Sequence, residues 1–158
     1  AALRELLLQL QARLGGALAI ISGRSIESLD ALLAPLRLPL AGLHGLERRT
    51  AAGRTLPPPA CGDWLSVARD TLRQQAARHA GLLLEEKSHG LALHWRRAPQ
   101  HADEARRVAL QLHRSLRPAP LLVEGHAVIE LREPGPGKDA ALDAFLGEPP
   151  FRGRLPVY

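Results

Sequence analysis

Leu3, Leu6, Leu7, Leu10 and Leu14 recur at helical spacing, with Arg4, Gln9 and Arg13 between them, and predict a helix over residues 2–14. Gly15-Gly16 ends it. Ala17 to Ile21 is a short unbroken apolar run, which suits a fully buried parallel strand. Ser22-Gly23-Arg24-Ser25 is a loop whose last serine can cap a helix over 26–34, built on Ile26, Leu29, Leu32 and Leu33 and stopped by Pro35. Helix, buried strand, glycine turn and helix in this order are the repeating unit of a doubly wound α/β sheet. Residues 39–45 form a second short strand with a glycine-rich end.

The pattern changes near Arg48. Residues 48–59 are polar and fit two short strands around an Ala52-Gly53 turn. Trp64, Leu65, Ala68, Leu72, Ala76 and His79 make one face of a helix over 62–80. A hairpin (82–87 and 90–96), a helix (100–117) and a second hairpin (120–124 and 127–132) follow, turning at Ser88-His89-Gly90 and Gly125-His126. This is an α+β module, an antiparallel sheet backed by helices. The α/β pattern of the first 45 residues then returns, with a Pro-Gly loop, a helix over 138–146, and the start of a strand at Leu155 to Tyr158. The fold class expected is therefore α/β: a parallel-sheet core over 1–45 and 133–158, interrupted by an inserted α+β domain over 46–132.

Composition narrows the function. The chain has 158 residues, 46% hydrophobic and 23% charged, an ordinary globular balance. No apolar run approaches the roughly 18 residues of a membrane span, and the first residues lack the layout of a signal peptide. No membrane partner is expected. A single cysteine, Cys61, admits no internal disulfide and fits a reducing, cytoplasmic setting. The sequence has no methionine, which reads as a piece of a longer protein. The net charge of +5 favours anionic partners, but basic residues are scattered and aromatics are only 3%, poor material for nucleic acid. A small anionic ligand fits better. Of the 21 Lys and Arg residues only Lys87 and Lys138 are lysine, so in this arginine-rich background both are places to look.

Several residues could carry chemistry. Ser22-Gly23-Arg24 sits where a strand gives way to a helix, the place where open α/β sheets bind ligands, and a hydroxyl with backbone N–H groups suits phosphate. An ordinary capped turn explains the same residues. Lys138 opens a helix, a poor place for a cation unless an anion is near; a solvated lysine is the alternative. Glu85 and Lys87 share a strand face, with His94 and Arg96 on the partner strand. They could grip hydroxyl groups, or form plain cross-strand ion pairs. His44 lies between Gly42 and Gly45, and none of the seven histidines has a zinc-finger spacing.

Together these stretches resemble the trehalose-phosphatase family of the haloacid-dehalogenase superfamily. Ala19-Ile20-Ile21-Ser22-Gly23-Arg24 resembles the superfamily's second motif. Gly42-Leu43-His44-Gly45-Leu46-Glu47 is similar to the family's glycine-histidine-glycine stretch. Glu85-Glu86-Lys87 with Leu91-Ala92-Leu93-His94-Trp95-Arg96 resembles its cap signature. Val128-Ile129-Glu130-Leu131-Arg132 and then Lys138 resemble the approach to the third-motif lysine, and Phe151 to Tyr158 the lead-in to the last motif. The resemblance spans the chain. It implies a Rossmannoid phosphatase core with an inserted cap, and hydrolysis of trehalose 6-phosphate through an aspartyl-phosphate with magnesium bound. Ser22 and Lys138 would be catalytic, Ser22 bonding a phosphate oxygen and Lys138 neutralising charge. Gly23, Arg24, His44, Glu85, Lys87, His94 and Glu130 would bind substrate, with the cap closing to exclude water. The protein would act as a monomer.

Two departures stand out. The family's lysine is usually followed by glycine, here by Asp139. The paired aspartates of the first strand and the aspartate-rich metal motif are absent, since no Asp precedes Asp30 and the chain stops at Tyr158. No metal ligand is therefore expected among these residues, and the chain alone is expected to be inactive. Another sugar phosphate as substrate, or a non-catalytic sugar-phosphate-binding role, remain alternatives.

Overall fold

The computed structural model describes residues 2–158. The elements in order are α1 (Ala2–Arg13), β1 (Ile20–Ile21), α2 (Ile26–Leu33), β2 (Leu40–Gly42), a 3-10 turn (Leu43–Gly45), β3 (Glu47–Arg49) and β4 (Thr55–Leu56). Then come α3 (Trp64–Arg78), β5 (Leu83–Lys87), β6 (Gly90–His94), a second 3-10 turn (Pro99–His101), α4 (Ala102–Ser115), β7 (Leu121–Gly125), β8 (Val128–Arg132) and α5 (Lys138–Leu146). They form two compact units. One runs through Pro59 and resumes at Gly135–Tyr158; the other is Ala60–Pro134.

The first unit carries a four-stranded sheet in the order β1-β2-β3-β4. β1 and β2 are parallel, with Ile20 opposite Leu40, and the remaining pairs are antiparallel. The sequence pattern assigns residues 46–59 to the insertion, but β3 and β4 extend this first sheet. The cause is register: Leu40, Ala41 and Gly42 pair with Arg49, Arg48 and Glu47. Burial of Arg49 secures β3. Its guanidinium donates to Leu38 O at 3.0 and 2.9 Å and to the Asp30 carboxylate at 2.8 and 2.7 Å. Beneath the sheet Ile26, Leu29, Leu33, Leu36, Leu38 and Leu40 form a buried cluster that Leu7, Leu18 and Ile20 join.

The run 17–21, expected to be a fully buried strand, pairs only at Ile20–Ile21 and is half-buried. β1 is an edge strand among the described residues, so one side of it is uncovered. α1 likewise has no buried residue, and Leu3, Leu6, Leu8 and Leu14 are exposed. Residues 155–158, expected to begin a strand, pair with none of the described strands, and Leu155, Val157 and Tyr158 are exposed.

The second unit is an antiparallel sheet in the order β5-β6-β8-β7, with α3 and α4 on one face. Alternation sends Leu91, Leu93, Ile129 and Leu131 to the helices, where they meet Trp64, Leu72, Ala105, Ala109 and Leu112. The opposite face carries Glu85, Lys87, Gly90, Ala92, His94, Glu130 and Arg132. Where the chain enters and leaves this unit, Glu133 ties the two segments together. Its Oε2 accepts from Trp64 Nε1 at 2.7 Å, from Gly62 N at 3.1 Å and from Cys61 Sγ at 3.1 Å.

Candidate active site

The loop after β1 is held by backbone. Ser22 N donates to Ala41 O at 2.8 Å, and His44 N donates back to Ser22 O at 2.9 Å. Ser22 Oγ accepts from Arg24 N at 3.1 Å. That bond uses an oxygen lone pair and leaves the hydroxyl proton to donate elsewhere. The His44 ring lies over Gly23, so a Cβ there would stand 2.6 Å from His44 Nε2. His44 itself has a left-handed backbone (φ 61°), as does Leu43 (φ 48°), a conformation that costs non-glycine residues energy and clusters at functional sites.

The N-terminus of α2 is already occupied. Ser25 Oγ accepts from Ser28 N at 3.2 Å, and Glu47 Oε1 accepts from Ile26 N at 2.6 Å. Gly42 gives Glu47 its path: a Cβ on residue 42 would lie 2.5 Å from that oxygen. A carboxylate stands where the sequence suggests room for a phosphate. Beside this loop, the helix start that no side chain hydrogen-bonds is that of α5. Its N-cap is Gly137, and no side chain caps it. α5 packs on the Leu43–Gly45 turn, with Gly45 so close that a Cβ would lie 2.5 Å from Gly137 O. Ser22, Gly23, Arg24, His44 and the start of α5 thus converge through one tight turn, and Lys138 is exposed at that helix start. Asp139 folds back so that its Oδ1 occupies the place of a Gly137 side chain. An acid in the first turn also complements the helix dipole, which accounts for a carboxylate beside the lysine.

In the second unit the predicted polar residues form two pairs on the helix-free face of the sheet. Lys87 Nζ meets Glu130 Oε1 at 2.8 Å, and His94 Nε2 meets Glu85 Oε2 at 3.0 Å. Lys87 lies opposite Gly90 and Glu130 opposite Ala92, so the first pair spans the whole of β6. Only small residues on the middle strand permit that. Leu83, Leu121 and Val123, all exposed, flank the pairs. The partly exposed Lys87–Glu130 ion pair contributes about 0–1 kcal/mol, and the His94–Glu85 hydrogen bond is similarly modest, so stability alone is a thin reason for them. Donors and acceptors alternate across the face, the arrangement that hydroxyl groups of a sugar need. Arg96 falls beyond the end of β6 and is exposed.

Spacing did not reveal two polar clusters. Glu133 gathers three donors from residues about seventy positions before it. Burial, then the hydrogen bond to Glu133, pushes the Cys61 thiol up to about 12, so it stays protonated and unreactive. The other cluster is His79, His101 and Glu104, whose ligand atoms all lie within 4.8 Å of one another. Only the i,i+3 spacing of His101 and Glu104 hints at it.

The sequence model of the family described as trehalose-phosphatase matches residues 1–158. The chain belongs to the trehalose-phosphatase family. It is similar to the trehalose-6-phosphate phosphatase of Escherichia coli K12, 44% identical over 147 residues, 90% of this chain and 53% of that protein. It is 36% identical over 148 residues to the "Probable trehalose-phosphate phosphatase" of Sinorhizobium fredii, covering 94% of this chain and 56% of that one. The chain therefore spans about half the length of these curated relatives. Among solved structures, the C-terminal domain of Candida albicans trehalose-6-phosphate phosphatase superposes with a TM-score of 0.69 at 20% identity, over 87% of this chain and 53% of that one. That likeness shows the α/β fold of this trehalose-phosphatase segment. No helix among the described residues is long and apolar enough to cross a membrane.

Proposed function

We propose that the protein hydrolyses trehalose 6-phosphate to trehalose and phosphate, and that this chain supplies its phosphate loop and its sugar-recognition face. The convergence of the Ser22 loop, the His44 turn and the uncapped start of α5 carries this reading. Ser22 Oγ donates its remaining proton to a phosphoryl oxygen, and the backbone N–H groups of the α5 start receive a second oxygen. The Lys138 ammonium neutralises charge developing on the transferring group. Gly23 keeps the loop thin beneath His44, and Arg24 and His44 border the phosphate. In the other unit, Lys87 donates to sugar hydroxyls while Glu130, Glu85 and His94 accept and orient them. The two lysines take different roles suited to a compact point charge.

An aspartyl-phosphate route needs a nucleophilic carboxylate, and the metal expected is magnesium. Magnesium wants six oxygen ligands in near-octahedral array. Among the described residues the group of three or more potential ligands that comes together is His79, His101 and Glu104, in which nitrogen predominates. These residues do not fit magnesium, and we derive no step through it. The setting we propose is cytoplasmic, with the protein a monomer and no nucleic acid bound.

The test is phosphate release from trehalose 6-phosphate, sucrose 6-phosphate and glucose 6-phosphate, by the protein expressed with the sequence that flanks Ala1 and Tyr158 in its gene. Trehalose 6-phosphate is expected to have the highest kcat/KM. Lys87→Ala and Glu130→Ala should raise KM with kcat little changed, while Ser22→Ala and Lys138→Ala lower kcat. The 158-residue chain alone should release no phosphate. A preference for another sugar phosphate would overturn the substrate, and unchanged kinetics in all four variants would overturn the site.

A further inference from the structure

His79 caps the C-terminal end of α3, His101 ends the 3-10 turn before α4, and Glu104 lies in the first turn of α4. His79 Nε2 is 3.1 Å and His101 Nδ1 is 4.0 Å from the same oxygen, Glu104 Oε2. The two imidazole rings are 4.0 Å apart, tilted by 36°. A tetrahedral zinc ion with bonds of 2.0–2.1 Å sets its ligand atoms about 3.3 Å apart. The two nitrogen-to-oxygen separations bracket that value, and all three ligand atoms lie within 4.8 Å of one another.

A plain hydrogen bond between His79 and Glu104 leaves two things unaccounted for. One is the second imidazole, which turns a ring nitrogen to the same oxygen. The other is Gln75, 5% exposed, whose amide Nε2 has no hydrogen bond of full geometry among the described residues. Its amide nevertheless lies against the Glu104 carboxylate, close enough to act on it. An outer-shell donor of this kind orients a carboxylate ligand. Arg107 approaches the other oxygen, Oε1, at 3.7 Å.

We propose that His79, His101 and Glu104 bind one divalent cation of zinc's class, with the fourth position left to water. Two imidazoles and a carboxylate suit zinc, whereas an all-oxygen set would suit magnesium. The ion pins the end of α3 to the start of α4, on the helix side of the sheet, opposite the Lys87–Glu130 face.

The chain, freed of any purification tag, is titrated with zinc chloride in a calorimeter and with cobalt(II) in a spectrophotometer. One equivalent should bind, with the intense visible absorption of four-coordinate cobalt. His79→Ala and His101→Ala should each weaken zinc binding by more than the roughly ten- to hundredfold typical of losing an outer-shell partner. Glu104→Gln, of unchanged shape, should weaken it too, while His126→Ala keeps the parent affinity. Circular dichroism checks that each variant is folded. Zinc that binds the parent no better than the His79→Ala/His101→Ala double variant overturns the site, as does a cobalt spectrum of six-coordinate type.

Discussion

Removing the Glu133 carboxylate should unfold the second unit far more readily than its small size suggests. Glu133 is 9% exposed and Trp64 is 1% exposed, so water does not readily replace the carboxylate. Glu133→Ala leaves the Trp64 indole N–H and the Gly62 N–H without an acceptor. Each orphaned donor costs about 1–3 kcal/mol, and the Cys61 thiol adds little. Relief of carboxylate burial offsets part of that, leaving a net loss of about 3 kcal/mol. Glu133→Gln keeps one oxygen in place and should lose about 1 kcal/mol. Urea denaturation followed by tryptophan emission reads this unit selectively, because both tryptophans, Trp64 and Trp95, lie within Ala60–Pro134. With a slope of about 1 kcal/mol per molar urea, Glu133→Ala should move the midpoint down by about 3 M. The pH dependence has a definite sign. Burial raises the Glu133 carboxyl, but hydrogen bonds from Gly62, Cys61 and Trp64 outweigh it and hold it below its ordinary 4.5. Its contribution is complete above that value and is lost as pH falls through the lower folded value. Glu133→Gln should abolish this loss. A Glu133→Ala midpoint within about 0.5 M of the parent would refute the network as a source of stability.

Arg49→Met should cost the first unit about 2 kcal/mol, measured by thermal melting in circular dichroism, since it strands Leu38 O and leaves the Asp30 carboxylate with Arg37 as its guanidinium partner. Asp30 is held below its ordinary 3.8, first by the Arg49 hydrogen bond, so the parent's advantage over Arg49→Met should persist above that pH and fade below it. Cys61, protonated until about pH 12, should react with a disulfide reagent at pH 8 many times faster in urea than in buffer. Equal rates would show that the thiol is not shielded by burial and Glu133.

Local pattern carried most of the elements. α5 begins at Lys138 and ends at Leu146, as apolar spacing and the Pro-Gly loop indicate. Both hairpins of the second sheet follow from alternation and turn residues. Failures occur where a distant partner decides. The polar run after Arg48 reads locally as a change of domain, yet Arg49 is buried because Asp30 and Leu38 O receive it. Ala17 to Ala19 are apolar enough for a strand, but no described strand lies beside them. At the candidate site, Ser22, His44 and Lys138 are legible as residue types. Their joining is not, because it rests on left-handed backbone at Leu43 and His44, where no glycine marks it. The occupation of α2's N-terminus by Glu47, twenty-one residues on, is equally invisible to spacing.

The trough on β6 gives the second unit a means of change that spares its charged groups. Lys87 reaches Glu130 only because Gly90 and Ala92 raise nothing between them. A single methyl group added at residue 92 would lift the floor and part the two charges, while the leucines beneath stay as they are. The chemistry offered to a ligand can therefore drift through side chains that have no polar atoms, and a comparison restricted to the charged residues would miss the difference.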